Sequence, residues 1–211
     1  LALFEREMFG KAPGRPANLK FVVRDEKKDA FDGKATRLRV GVLFDGREDG
    51  PGMEMLVYLP NDAKGPVPVF WGLNFEGNYT AVADPDIPLP KHWVPGPRGS
   101  NNVAAEANRG KQASRWQIKY ALDRGYGVAT ACYCEIEPDV KDSWQKGVRA
   151  LAPPTRPDDW SAIGGWAWAL SRGLDYLETN PRVDAKKVIV IGHSRLGKTS
   201  LWAGARDDRF A

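Results

Sequence analysis

A chain of 211 residues is long enough to bury a sizeable core as a single domain. Its 31 Lys and Arg against 27 Asp and Glu leave a net charge of +4 spread without blocks, which argues against a nucleic-acid partner and a membrane partner. No apolar run approaches the roughly 20 residues that span a bilayer, and residues 1–20 carry acids where a secretion signal would be apolar, so the chain reads as soluble with any export signal already removed.

Runs rich in Val, Leu and Phe come first, at Leu38–Phe44, Met53–Leu59 and Val67–Leu73, and the turn-forming DGREDGPG between the first two predicts a hairpin. Residues 75–112 are rich in Gly, Pro and Asn with no sustained period, a long loop of the kind that carries function. Ser114-Arg-Trp-Gln117 reads as a capping box opening a helix to about Arg124, with Trp116, Tyr120 and Ala121 as its apolar face. Gly127–Cys134 reads as a buried strand. Its two cysteines, Cys132 and Cys134, should point to one face without the geometry for a mutual disulfide, leaving a bond to a later cysteine open. No Cys or His lies nearby at ligand spacing, so no metal site is expected.

A second loop, residues 135–158, holds Pro138, Pro153, Pro154 and Pro157 and ends at Asp158-Asp159, a plausible helix cap. The helix it opens carries Ile163, Trp166, Ala167, Leu170, Leu174 and Leu177 at helical spacing and stops near Asn180-Pro181. Val188–Ile191 is a short β-branched strand, residues 192–197 a tight turn, and Lys198–Ala205 the start of a helix. This alternation predicts an α/β fold with a mostly parallel sheet covered by helices on both faces.

The turn carries the chemistry. Gly192-His-Ser194-Arg-Leu-Gly197 fits a nucleophile elbow, where a serine sits on a strained strand-to-helix turn and its hydroxyl projects above the sheet edge. Gly192 supplies the missing side chain that close packing requires; the second glycine of the usual string falls one position late, because Leu196 holds its place. The same residues also complete a P-loop string, Gly192 to Gly197-Lys198-Thr199, in which Lys198 would hold nucleotide phosphates and Thr199 would ligate magnesium. Such loops usually follow the first strand of a domain and need a later strand ending in Asp, whereas four predicted strands precede this one and the run Val40–Asp45 lies upstream. Nucleotide binding is therefore the alternative reading.

His193-Ser-Arg-Leu-Gly-Lys198 resembles the Ser-Arg-x-Gly-Lys signature of carbohydrate esterase family 15, the glucuronoyl esterases of plant cell-wall degradation. Gly72-Leu-Asn-Phe-Glu-Gly-Asn78, Gly110-Lys-Gln-Ala-Ser-Arg-Trp116, residues 158–168 and Asn180-Pro-Arg-Val-Asp184 agree with it, so the likeness runs from about residue 35 to the end. The resemblance implies an α/β-hydrolase fold, whose nucleophile follows the fifth strand, as the turn here follows the fifth predicted strand. It implies that residues 1–211 are the N-terminal part of one such domain, ending just after the elbow helix and incomplete at the C-terminus. The implied activity is that of a secreted or periplasmic serine esterase. It would cleave esters between glucuronic acid side groups of glucuronoxylan and lignin alcohols through an acyl-enzyme, with no metal and no cofactor. A catalytically inactive carbohydrate-binding relative is a second alternative.

By the same resemblance Ser194 is the nucleophile, Arg195 stabilises the oxyanion through its amide and guanidinium, and Lys198 holds hydroxyls of the glucuronate ring. Physical chemistry agrees: an amide at a helix N-terminus beside a cation favours developing negative charge, and a lysine four residues on leans back toward the serine. The loop 74–78 would add a second oxyanion amide, that of Phe75. His193 is expected to pack beneath the elbow and His92 to be a loop residue, with Glu135, Glu137 and Asp139 as solvated loop acids. In this fold the triad acid and histidine follow the serine in the chain, so they are expected beyond Ala211 and an isolated copy should be inactive. Trp166 and Trp202 read as core; Trp93, Trp144 and Trp160 are candidates for a sugar-binding rim.

Overall fold

The computed structural model describes residues 1–95 and 102–211, so the centre of the predicted loop 75–112 lies outside the described residues. Its strands are β1 (Lys20–Ala30), β2 (Ala35–Leu43), β3 (Gly52–Pro60), β4 (Val67–Asn74), β5 (Gly127–Cys132) and β6 (Val183–Ile191). They form one sheet in the order β1-β2-β3-β5-β4-β6. The predicted hairpin joins β2 and β3, closed by Phe44 N–H donating to Pro51 O at 3.0 Å. The sheet is mixed where a mostly parallel one was expected. Antiparallel ladders link β1, β2, β3 and β5, and only β5-β4-β6 run parallel, because tight hairpins and no crossovers join the first three strands.

β1 has no counterpart among the predicted elements. Apart from Phe21, Val22, Val23 and Ala30 it is wholly charged, which suits an edge strand that must resist pairing with other chains but hides the alternation that marks a strand. The elbow thus follows the sixth strand, which pairs with β4 at the far end of these six strands from β1.

Helices cover both faces. The main ones are α1 (Ala113–Trp116), α2 (Ile118–Leu122), α3 (Ala162–Leu177) and α4 (Arg195–Arg206). Along β3, Met53, Met55, Val57 and Leu59 face the cluster built with α3 and α4, while Leu56 and Tyr58 face the cluster built with Ile118 and Leu122, as the two-residue strand period requires. The predicted single helix from Ser114 is broken in two. Gln117 adopts a left-handed conformation (φ 48°) and turns its amide group back to the Ser114 carbonyl (2.7 Å), so no capping box forms. The break also changes the buried face to Ile118 and Leu122, leaving Tyr120 exposed.

Helix α3 is buried from Gly164 to Leu177, and every residue of its predicted face except the partly covered Ile163 lies in the core. Gly173 lets Trp71 of β4 approach: a Cβ there would lie 2.8 Å from Trp71 Cε2, and Trp71 Nε1 donates to Leu170 O at 2.8 Å. Its N-cap is Ser161, whose Oγ accepts from Gly164 N–H at 3.1 Å. Asp159, expected as the cap, instead accepts the N–H groups of Thr155 and Arg156 at 2.7 and 2.8 Å. The N-terminal segment docks against α3 and α4: Ser161 N–H donates to Phe9 O (2.9 Å), Trp168 Nε1 donates to Pro13 O (2.8 Å), and Phe9 stacks on Trp202 with centroids 4.7 Å apart.

Candidate active site

The chain leaves β6 at Ile191 and enters α4 at Arg195, so the turn consists of Gly192, His193 and Ser194. Ser194 stands exposed at φ 56°, ψ −127°, a backbone conformation that costs a non-glycine residue of order 1–3 kcal/mol and marks functional sites. Ser200 clamps the turn from the second turn of α4, its Oγ shared between Ile191 O (2.7 Å) and Leu196 O (2.9 Å). Leu196, at the place of the usual second glycine, is buried in the core; Gly192 is packed too closely to carry a side chain, whereas Gly197 in α4 is not. Lys198 N–H donates to Ser194 O at 3.1 Å, which sets the exposed Lys198 one helical turn beyond the serine.

The guanidinium of Arg195 meets Asp139, an ion pair that reaches from the start of α4 to the loop after β5. Tyr133 supports the acid, its hydroxyl 3.5 Å from Asp139 Oδ2 and its buried ring wedged between Phe75 and Trp166 at 5.5 and 4.9 Å. Burial pushes the Tyr133 hydroxyl well above the usual tyrosine range, so it stays a donor. The loop acids are therefore not solvated as expected. Glu137 is fully buried, gripped by Arg149 Nη2 and Nε at 2.6 and 2.9 Å, while Trp166 Nε1 donates to its carbonyl at 3.0 Å. Glu135 accepts Glu54 N–H at 2.7 Å, and burial pushes its carboxyl up to about 8.

The loop after β4 comes alongside the elbow. Asn74 fixes it by accepting Gly77 N–H (2.8 Å) and donating to Asn78 Oδ1 (2.8 Å) and Thr130 Oγ1 (3.0 Å). Phe75 then lies edge-on to His193 with centroids 6.5 Å apart. A pocket of about 250 Å³ opens here between Phe75, His193, Gln112, Arg115 and Trp116. An exposed serine at a strained turn, a cation on the next residue and a rigid loop beside it form an arrangement suited to acyl transfer. It does not suit a P-loop: Thr199, which would ligate magnesium, is fully buried and donates its hydroxyl to Arg195 O at 3.0 Å.

The family profile described as "Glucuronyl esterase, fungi" matches residues 156–211, the stretch that holds α3, β6 and the elbow. A carbohydrate esterase from an unknown prokaryotic organism is 46% identical over 218 residues, covering 99% of this chain and 50% of that protein. The solved glucuronoyl esterase from Solibacter usitatus superposes with a TM-score of 0.91 at 45% identity, over 99% of this chain and 54% of that one. Along nearly its whole length the chain is similar to a glucuronoyl esterase. A promiscuous esterase of carbohydrate esterase family 15 from the marine bacterial metagenome is also similar, with a TM-score of 0.87 at 45% identity over 100% of this chain and 54% of that one. This chain thus spans about half the length of these relatives.

The other predicted residues fall as follows. Among the described residues His193 is exposed, its ring edge-on to Phe75, where packing beneath the elbow was expected. His92 Nδ1 faces Glu135 Oε1 at 3.8 Å, so neither histidine of the chain is hydrogen-bonded to Ser194. Trp160 is buried, its Nε1 donating to Ala152 O at 2.8 Å, and is no rim residue; Trp93 and Trp144 are partly exposed, and Trp166 and Trp202 are core as expected. Cys132 and Cys134 are buried free thiols whose sulfurs both face Phe75 O at 4.0 Å. No described helix is long and apolar enough to cross a membrane. The pairing of Arg195 with Asp139 was not foreseen from the sequence, since no local spacing connects the two residues.

Proposed function

We propose that this chain carries the nucleophile of a serine esterase acting on esters of glucuronic acid, the linkage that joins glucuronoxylan side groups to lignin alcohols. The observation that carries the reading is Ser194, held exposed at φ 56° immediately before a cation at a helix N-terminus. Relatives named 4-O-methyl-glucuronoyl methylesterases, such as that of Phanerochaete carnosa (45% identical over 53 residues, 24% of this chain), support the substrate class.

Ser194 Oγ attacks the ester carbonyl carbon, and the carbonyl electrons move onto oxygen. The Arg195 amide and guanidinium, together with an amide of the loop at Phe75, meet that oxyanion; losing one such donor typically costs about 10²–10³ in rate. Collapse expels the alcohol and leaves glucuronate esterified to Ser194, and water then releases it. Lys198, one turn along α4, holds ring hydroxyls. The proton acceptor is assigned to a histidine outside these residues, since His92 faces Glu135 and His193 faces Phe75. A substrate fixed in a plant cell wall calls for a secreted or periplasmic enzyme.

The test uses the full-length protein with benzyl glucuronate as substrate and a fluorophosphonate as label. Hydrolysis should be abolished by Ser194→Ala, and the label should map to the peptide containing Ser194. Residual activity above about a hundredth of wild type would remove Ser194 as nucleophile. Sugar binding without hydrolysis or labelling would make the chain part of an inactive carbohydrate-binding relative.

A further inference from the structure

The cation beside the nucleophile does not hold itself in place. Arg195 carries a long side chain that is half exposed, and such a side chain left free loses roughly 2 kcal/mol of rotamer entropy each time it must adopt one geometry. Electrostatic stabilisation of an oxyanion needs the opposite, a charge fixed before the reaction begins. Asp139 supplies the fixed point, since it pairs with Arg195 Nη1 and its own mounting is built from buried groups. Tyr133 reaches its carboxylate at 3.5 Å from a site where only 1% of the tyrosine is exposed. Two residues before Asp139, Glu137 is locked by Arg149 and by Trp166 Nε1. An ordinary surface ion pair joins two mobile side chains and contributes little. Here one partner is anchored to the core, and the other is the residue directly after the nucleophile.

We propose that Asp139, carried by Tyr133, is a positioning residue that holds the Arg195 guanidinium over the elbow. The proposal rests on the esterase reading above. Asp139 touches no reacting atom; it acts by restricting where the cation can be when negative charge develops on the carbonyl oxygen.

The experiment is a double-mutant cycle in the full-length protein with benzyl glucuronate, using Asp139→Asn, Arg195→Ala and both together. Asp139→Asn keeps the side-chain shape and removes the charge. It should lower kcat by roughly 10- to 100-fold, the range that misplacement of a catalytic group produces, with KM nearly unchanged. In the Arg195→Ala background the same substitution should have no further effect, because the group it acts through is gone. Equal losses in both backgrounds, or no loss in either, overturn the proposal. Phenylglyoxal modification of Arg195 gives a readout independent of catalysis: it should be faster in Asp139→Asn than in wild type, and an unchanged rate overturns the pairing. A wild-type protein that hydrolyses nothing overturns the esterase reading instead, and the phenylglyoxal rates then still decide whether Asp139 holds Arg195.

Discussion

Gly192 and Leu196 meet backbone to backbone where β6 turns into α4: a Cβ on Gly192 would overlap the Leu196 carbonyl and lie 2.5 Å from Ser200 Oγ. The Leu196 carbonyl is backbone and cannot swing aside as the Ser200 hydroxyl could, so Gly192→Ala must push the helix away from the strand. The expected destabilisation is about 1–3 kcal/mol, the usual result of overpacking, with esterase activity lost because the turn moves. Gly197→Ala is the control, since its added Cβ would meet the Gly192 carbonyl oxygen at 3.5 Å, ordinary contact. Urea unfolding of both variants checks the contrast, and equal midpoints would show that the elbow is not closed by Gly192.

Ser194 should be held at φ 56° at a cost to stability. Glycine accepts that conformation freely but gains freedom in the unfolded chain, which offsets part of the relief. Ser194→Gly is therefore expected to raise stability by up to about 1 kcal/mol while abolishing hydrolysis. Thermal unfolding beside an activity assay measures both, and a lower Tm would mean that the serine is not strained.

Local signals made the strand, turn and helix around Ser194 legible. The β-branched run before Gly192 and the helix after it are consecutive in the chain, and the apolar spacing of α3 repeats at the helical period. What stayed hidden depends on contacts between distant segments. β1 is a strand because β2 pairs with it, despite a charged sequence. Glu137 is buried because Arg149 neutralises it there, and Trp160 is core because the Ala152 carbonyl takes its N–H. A loop acid and a surface acid look alike in sequence, so the partner of Arg195 could be found only from the fold.

Glu135 gives the protein a pH dependence whose sign can be worked out. Its carboxyl, ordinarily at 4.5, is raised to about 8 by burial, and the nearby Glu54 adds to the effect; the Glu54 N–H and Arg39 act the other way without cancelling it. His92, 3.8 Å away, would also favour the ionised form when it is itself protonated. The folded protein therefore keeps a proton that the unfolded chain gives up between those values. The stabilisation is complete below about pH 4.5 and is lost as pH rises toward 8, at no more than about 1.4 kcal/mol per pH unit. Glu135→Gln keeps an acceptor for Glu54 N–H and should flatten that slope. Urea midpoints between pH 5 and 8 decide it: parallel curves for wild type and variant would mean that Glu135 is ionised throughout.

Lys198 separates substrate recognition from chemistry. It is exposed, lies one turn beyond Ser194 on the same helix, and makes no ion pair among the described residues, so its ammonium is free to meet a ligand. If it holds ring hydroxyls, Lys198→Ala removes a charged hydrogen bond from glucuronate esters and nothing from an acyl ester without the ring. The loss on benzyl glucuronate should then be about 1–3 kcal/mol in kcat/KM, the usual range for a hydrogen bond to a charged group, with p-nitrophenyl acetate hydrolysis unchanged. Because the ring is held in the ground state and the transition state alike, most of that loss should fall on KM. Arg195→Ala should behave differently, lowering kcat on both substrates, since an oxyanion forms on either ester. Equal losses on both esters for Lys198→Ala would place the lysine with the oxyanion and not with the sugar.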